Sequence, residues 1–258
     1  MCIVLLAHKV HPEYPLVLAA NRDEFYERPT AQAHFWEDDR GLLAGRDLER
    51  GGTWLGVTVG GRVAAITNYR EPGVRIQEAP SRGALVSDYL KGDEGPLEYL
   101  SKLSSTASLY NGFNLIAGTS ERLYYFSNRG DEPLKIERGV HGLSNHLLDT
   151  SWPKVDRGRE ALAAILKQDD YPSIEDIFKV LADDARASDE ALPETGVGLE
   201  LERMLSPLFI KSQIYGTRSS TILLINRRQE ALFIERTFAP KTHGQREVRY
   251  DFKIRSER

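Results

Sequence analysis

The run Met1-Cys2-Ile3-Val4-Leu5-Leu6-Ala7, answered by Leu16-Val17-Leu18-Ala19-Ala20-Asn21-Arg22-Asp23-Glu24, decides how this chain is read. Each half is a short apolar run, and the loop between them carries Pro12 and Pro15. That is the pattern of a hairpin of buried strands. Pairing the two runs returns position 2 to the segment around Asn21, Arg22 and Asp23. A register error of one or two residues leaves this conclusion intact, because a strand rises only about 3.3 Å per residue. The single cysteine of the chain is therefore expected beside a polar cluster that ends an apolar strand.

Working outward, a chain of 258 residues is long enough for one large domain, and one cysteine allows no internal disulfide and no multi-cysteine zinc site. The reducing cytoplasm is the default compartment for such a composition. Basic and acidic residues number 34 and 38, spread along the chain for a net charge of −4. Nucleic-acid binding calls for a clustered basic surface, which this pattern lacks. Ile3 to Ala7 is far shorter than the roughly 20 apolar residues of a membrane span. His8-x-x-His11 falls in a turn, where the spacing does not converge two imidazoles, so neither a metal nor a cofactor is expected. No serine elbow, phosphate loop or dinucleotide fingerprint occurs. Gly51 to Gly56 lacks the Lys-Ser/Thr of a phosphate loop and reads as a tight turn around a packed tryptophan.

Trp54 to Val59 and Arg62 to Thr67 form a second expected hairpin, closed by Gly60-Gly61 with its positive φ values. Helices are expected over Ser81 to Leu90, with Ser81 as N-cap and Gly92 as the stop, over Pro96 to Leu103, after Pro153 and after Ser173. Strand-like runs cover Gly112 to Ala117, Leu123 to Ser127, Leu134 to Glu137, a short piece ending near Ser144, Ser220 to Ile225 and Ala231 to Thr237. Residues 183 to 203 are acidic and read as a loop, a candidate mobile lid. Nothing divides the chain, so residues 1–258 are expected to form a single α+β domain of stacked layers.

Cys2 carries the chemistry if Met1 is removed, which a small second residue generally permits. Its α-amine, with pKa near 7.7–8.0, then accepts the proton of its own thiol, near 8.5. A carboxylate of the facing Asn21-Arg22-Asp23-Glu24 cluster is expected to orient that ammonium or to hold the thiol by hydrogen bonding, and Arg22 to stabilise a thiolate. The plainer reading makes Cys2 a small buried residue and the charged cluster a surface network. Asn68 and Asn145 each close an apparent strand; such amides donate to a developing oxyanion or simply make turns. Arg218, just before a long apolar strand, faces an anionic substrate or else solvent.

Together Met1-Cys2, Ala20-Asn21-Arg22-Asp23-Glu24, Gly45-Arg46-Asp47, Gly51 to Gly56, Thr67-Asn68-Tyr69-Arg70, Ser81-Arg82-Gly83, Asn111-Gly112-Phe113-Asn114, Leu143-Ser144-Asn145, Trp152-Pro153-Lys154-Val155 and Tyr215 to Ser219 resemble the NRDE family, also called the transport and Golgi organisation protein 2 family. The resemblance implies an N-terminal nucleophile hydrolase-like fold, a four-layer αββα sandwich of two antiparallel sheets flanked by helices, similar to choloylglycine hydrolases and penicillin V acylases. It implies catalytic roles for Cys2, Asp23 and Asn145, with Asn21, Arg22, Asn68 and Arg218 as substrate contacts. The implied activity is cleavage of a non-peptide amide or thioester through an acyl-enzyme. The alternative it implies is non-catalytic binding or carriage of haem, acyl-CoA or another amphipathic metabolite. Those hydrolases usually carry Arg-Asn-x-Asp after the second strand, whereas here Ala20 takes the first position and the arginine stands two residues later, at Arg22. A two-residue shift keeps the same face of the strand at another height.

Overall fold

The computed structural model describes residues 3–168, 171–239 and 244–255; Met1 and Cys2 lie outside them. Ile3–His8 (β1) and Leu16–Phe25 (β2) pair as the expected hairpin, with Ile3 opposite Asn21 and His8 opposite Leu16. Every residue of β1 is buried, because both faces of its sheet are covered. A continuous apolar run, rather than an alternating one, is what such a strand requires.

The remaining strands are Thr30–Phe35 (β3), Leu42–Asp47 (β4), Leu55–Thr58 (β5), Val63–Asn68 (β6), Phe113–Gly118 (β7), Leu123–Ser127 (β8), Leu134–Ile136 (β9), Gly139–Leu143 (β10), Tyr215–Ile225 (β11), Glu230–Ala239 (β12) and Gly244–Lys253 (β13). They form two antiparallel sheets, one in the order β10-β1-β2-β11-β12-β13 and the other in the order β3-β4-β5-β6-β7-β8-β9. Pro153–Gln168 (α3) and Ile174–Leu181 (α4) cover the first sheet, and Arg82–Lys91 (α1) and Pro96–Ser104 (α2) cover the second. The result is the expected αββα arrangement.

Alternate residues of each inner strand serve two cores. Val4, Leu6, Leu16, Leu18, Leu223 and Phe233 point between the sheets. Ile3, Leu5, Val17, Ala19, Ile222 and Ile234 point to α3 and α4. Burying one such aliphatic side chain stabilises the fold by roughly 1.5–3 kcal/mol.

The structure departs from the sequence reading at several places. Strands β3, β4 and β13 went unread. β13 does carry a period-two signal, with Val248, Tyr250 and Phe252 packed on the inter-sheet core, but its other face is charged. Of the two glycines in the second hairpin, only Gly61 has positive φ, at 84°. Ser81 occupies the N-cap position of α1 without making a side-chain cap hydrogen bond, whereas the hydroxyl of Ser173 accepts from the Asp176 amide at 3.3 Å. Residues 183 to 203 are not a simple loop, since Leu199–Leu205 (α5) is helical. Seven residues are too few for a helix to be stable alone. Tertiary contacts supply the rest: Glu202 is buried and accepts from Arg70 Nη1 at 2.5 Å, and Lys154 Nζ donates to the Leu205 carbonyl at 2.9 Å.

Candidate active site

Strand β1 opens between two neighbours. Ile3 is opposite Asn21 of β2, and Val4 is opposite Leu143 of β10. Arg22 and Asp23 therefore follow on one side of the strand start, and Ser144 and Asn145 follow on the other. Cys2, the proposed nucleophile, lies outside the described residues.

Arg22 and Asp23 occupy opposite faces of β2. Arg22 shares the inter-sheet face with Ala20, as the two-residue displacement requires. Its guanidinium sits 4.3 Å over the ring of Trp54 and donates to Thr30 Oγ1 at 3.1 Å. The ring can lie there because Gly45 leaves room: a Cβ at that position would stand 2.3 Å from the Trp54 ring. Glu24 is 3.9 Å away, beyond hydrogen-bonding distance. Burial lowers the Arg22 pKa, partly offset by Glu24. Asp23 is buried, and its Oδ1 accepts from the Thr217 hydroxyl at 2.6 Å. Just beyond Thr217, β11 slips its register against β2, and the irregularity falls at Arg218.

The two asparagines that close separate strands are brought together. Asn145 Nδ2 donates to the Asn68 carbonyl at 2.9 Å, and the Asn145 carbonyl accepts from the Arg70 amide at 2.7 Å. Thr67 Oγ1 donates to the Ser144 carbonyl at 2.6 Å. The end of β6 in one sheet is thereby stitched to the segment after β10 in the other.

A cavity of about 670 Å³ opens here, lined by Arg22, Asp23, Asn68, Trp54, Tyr69 and Arg82 among others. Asn21, Asn145 and Arg218 are not in its wall. Asn21 is fully buried on the other face of β2, where its Nδ2 donates to the carbonyls of Leu181 and Leu208 at 2.8 and 2.9 Å and its Oδ1 accepts from Ser220. It ties the sheet to the helical layer. Arg218 donates to the carbonyls of Phe25 and Arg28, holding the end of β2, and burial lowers its pKa.

Three features went unrecognised in the sequence. Glu235 on β12 is buried between the sheets and accepts from the Ala33 amide at 2.7 Å; burial pushes its carboxyl up to about 7. Arg82 reaches the cavity from the first residue of α1. Tyr69, also in the cavity wall, lies 2.8 Å from His146 Nε2, and burial lowers the pKa of that imidazole. Arg82 and Tyr69 stand in the quoted stretches Ser81-Arg82-Gly83 and Thr67-Asn68-Tyr69-Arg70, which gave them no role, and nothing in the sequence pointed to Glu235. Among the described residues no group of three His, Cys, Asp or Glu side chains could hold a metal ion. No described helix is long and apolar enough to cross a membrane.

The two stacked antiparallel sheets with flanking helices define an N-terminal nucleophile hydrolase-like fold. A mutant of the conjugated bile acid hydrolase from Clostridium perfringens superposes with a TM-score of 0.52 over 99% of this chain and 98% of that one, at 9% identity. The Caenorhabditis elegans ortholog of N-acylethanolamine-hydrolyzing acid amidase gives 0.50 over 86% of this chain and 92% of that one, also at 9% identity. Identity this low shows the fold alone. Residues 1–240 match the Transport and Golgi organisation 2 family, and the chain belongs to that family. The Homo sapiens Transport and Golgi organization protein 2 homolog is 38% identical, covering 99% of this chain and all of that protein, and the Mus musculus homolog is 34% identical over the same shares.

Proposed function

We propose that this protein hydrolyses a non-peptide amide or thioester, with Cys2 as nucleophile. One observation carries the reading. Strand β1 opens at Ile3, directly after Cys2 in the chain, between the β2 segment bearing Arg22 and Asp23 and the Asn145 segment bonded to Asn68. A carboxylate and amides from distant parts of the sequence thus flank the start of the strand that Cys2 precedes in the chain, and proximity of this kind is what acyl transfer needs.

Removal of Met1 frees the α-amine of Cys2, which takes the thiol proton. The thiolate adds to the substrate carbonyl carbon, and the oxyanion that forms is met by side-chain amide donors, the role assigned to Asn145 and Asn68. Collapse expels the amine or thiol leaving group, which receives the proton held by the α-amine. Water, deprotonated by the same amine, then cleaves the acyl-enzyme thioester to release the acid and regenerate the thiol. Asp23, fixed by Thr217, orients the ammonium, and Arg22 supplies positive charge near the thiolate. Asn21 and Arg218 act as positioning residues for β2.

Intact-mass analysis together with turnover assays over an amide and acyl-CoA panel tests this reading. Loss of Met1 and abolition of turnover in Cys2→Ala are expected. Full retention of Met1 would end the amine-base mechanism. Undiminished turnover in Cys2→Ala would sink the nucleophile assignment, and saturable haem or acyl-CoA binding without any turnover would favour the carrier reading.

A further inference from the structure

The charges around the cavity do not close on themselves. Arg28 takes up Asp47 at 2.7 Å, Glu49 at 3.5 Å and Glu24 at 3.7 Å. Glu71 is held by both Nε and Nη2 of Arg129 at 2.6 Å and also accepts from the Gly112 amide at 3.0 Å. Arg82 is left without a carboxylate: it makes no ion pair among the described residues, and its hydrogen bond is from Nη1 to the Gly112 carbonyl at 2.9 Å. A guanidinium has five N–H donors. Arg82 lines the same cavity as Arg22. Burial lowers the pKa of Arg82 as it does that of Arg22, and both sense the charges of Glu24 and Arg28.

The position of Arg82 is set by packing. The Thr53 amide donates to the Gly83 carbonyl at 3.1 Å, and a Cβ on Gly52 would stand 2.4 Å from the Gly83 carbonyl carbon. This contact clamps the start of α1 against the residues preceding Trp54, whose ring carries Arg22. Two part-compensated guanidinium groups, Arg22 on β2 and Arg82 on α1, are thus built into one cavity. A part-buried cation without a partner costs free energy that an incoming anion recovers, and the guanidinium fork suits carboxylate and phosphate oxygens.

We infer that this cavity receives the anionic end of its ligand, a carboxylate or phosphate, on the Arg82 guanidinium, with Arg22 as the second positive charge. The inference deepens the proposed hydrolase reading by giving the substrate class, an acyl amide or thioester whose other end is an oxyanion. Binding is measurable without turnover, so the two readings fail separately.

The test uses calorimetric titration of the full-length Cys2→Ala protein, with and without Arg82→Gln, against matched probes. N-decanoylglycine is compared with neutral N-decanoylglycinamide, and decyl phosphate with decanol. At least one anion is expected to bind about tenfold or more tightly than its neutral partner, and Arg82→Gln to bring that ratio close to one. The pair that discriminates shows whether carboxylate or phosphate is preferred. Equal affinity within both pairs, or a ratio unchanged in Arg82→Gln, overturns the inference. If Arg82→Gln does not fold, Arg82→Lys takes its place, and it must lower the preference at least about threefold because it loses the fork. Wild-type protein that discriminates these probes yet turns over neither N-decanoylglycine nor a thioester analogue would retain the anion site and lose the hydrolase reading.

Discussion

At one end of the inter-sheet space, β2, β11 and β12 present Leu16 and Leu18, Leu223 and Ile225, and Ala231 and Phe233. At the other end the same faces of the same strands present Arg22, Ser219 and Glu235, all buried. Thr221 pairs with Ala20 on one side and with Glu235 on the other, so the three strands change chemistry at a single level of the sheet. Backbone geometry is continuous across that level; only the side chains differ. The apolar end holds the two sheets together by excluding water. At the polar end Arg22 rests on Trp54 and Thr30 and Glu235 on the Ala33 amide, and such directional contacts leave space that close-packed leucines would fill. The cavity lies at that end.

On the proposed hydrolase reading, truncating the nucleophile and truncating the apolar end should separate activity from stability. Cys2→Ala is expected to lower turnover by at least about 10³-fold while leaving the unfolding free energy within about 0.5 kcal/mol, measured by single-turnover assay and urea titration. Leu18→Ala at the apolar end should do the reverse, costing about 2–5 kcal/mol in denaturant unfolding with turnover retained under native conditions. If Leu18→Ala abolished turnover at full folding, the two ends would not be separable.

Glu235 sharpens the contrast because a carboxyl is placed where the apolar end has aliphatic groups. Its pKa rises from 4.5 to about 7, so between those values the folded chain keeps a proton that the unfolded chain has released. Its contribution to stability is therefore full below about 4.5 and is lost as pH rises towards about 7, a loss on the order of 3 kcal/mol. Glu235→Gln should flatten the wild-type decline across that window in urea titrations at stepped pH. An identical decline in the variant would remove Glu235 as its source.

The smallest effects belong to the outer helical layers. Ser173→Ala removes a side-chain cap and should cost about 1 kcal/mol, whereas Ser81→Ala, which removes none, should stay within about 0.5 kcal/mol by thermal or urea unfolding. Equal losses would mean that the Ser81 hydroxyl matters in a way its position does not suggest.

Much of this was legible in the residues, and the reason differs from element to element. β1 and β2 were readable because strands covered on both faces become uninterrupted apolar runs. β13 was hidden because one face is exposed and charged, and α5 because its stability comes from Arg70 and Lys154 rather than from its own seven residues. At the site, the meeting of Asn21 to Asp23 with the chain start follows from a hairpin, which is local. The meeting of Asn68 with Asn145, and of Arg82 with Arg22, spans 77 and 60 positions and depends on how two sheets stack.

The sequence by itself determined the two apolar strands, the lone cysteine ahead of them and the polar group at the facing strand end, because hydrophobic period and hairpin length are local properties of the chain. Only the tertiary structure decided that Asn21 faces the helices while Arg22 faces Trp54, that Asn145 bonds to the end of the opposite sheet, and that Arg82, beside the cavity, makes no ion pair among the described residues. Those outcomes depend on which face of a strand is covered and by what. That is settled by packing between segments far apart in the chain, and no local pattern encodes it.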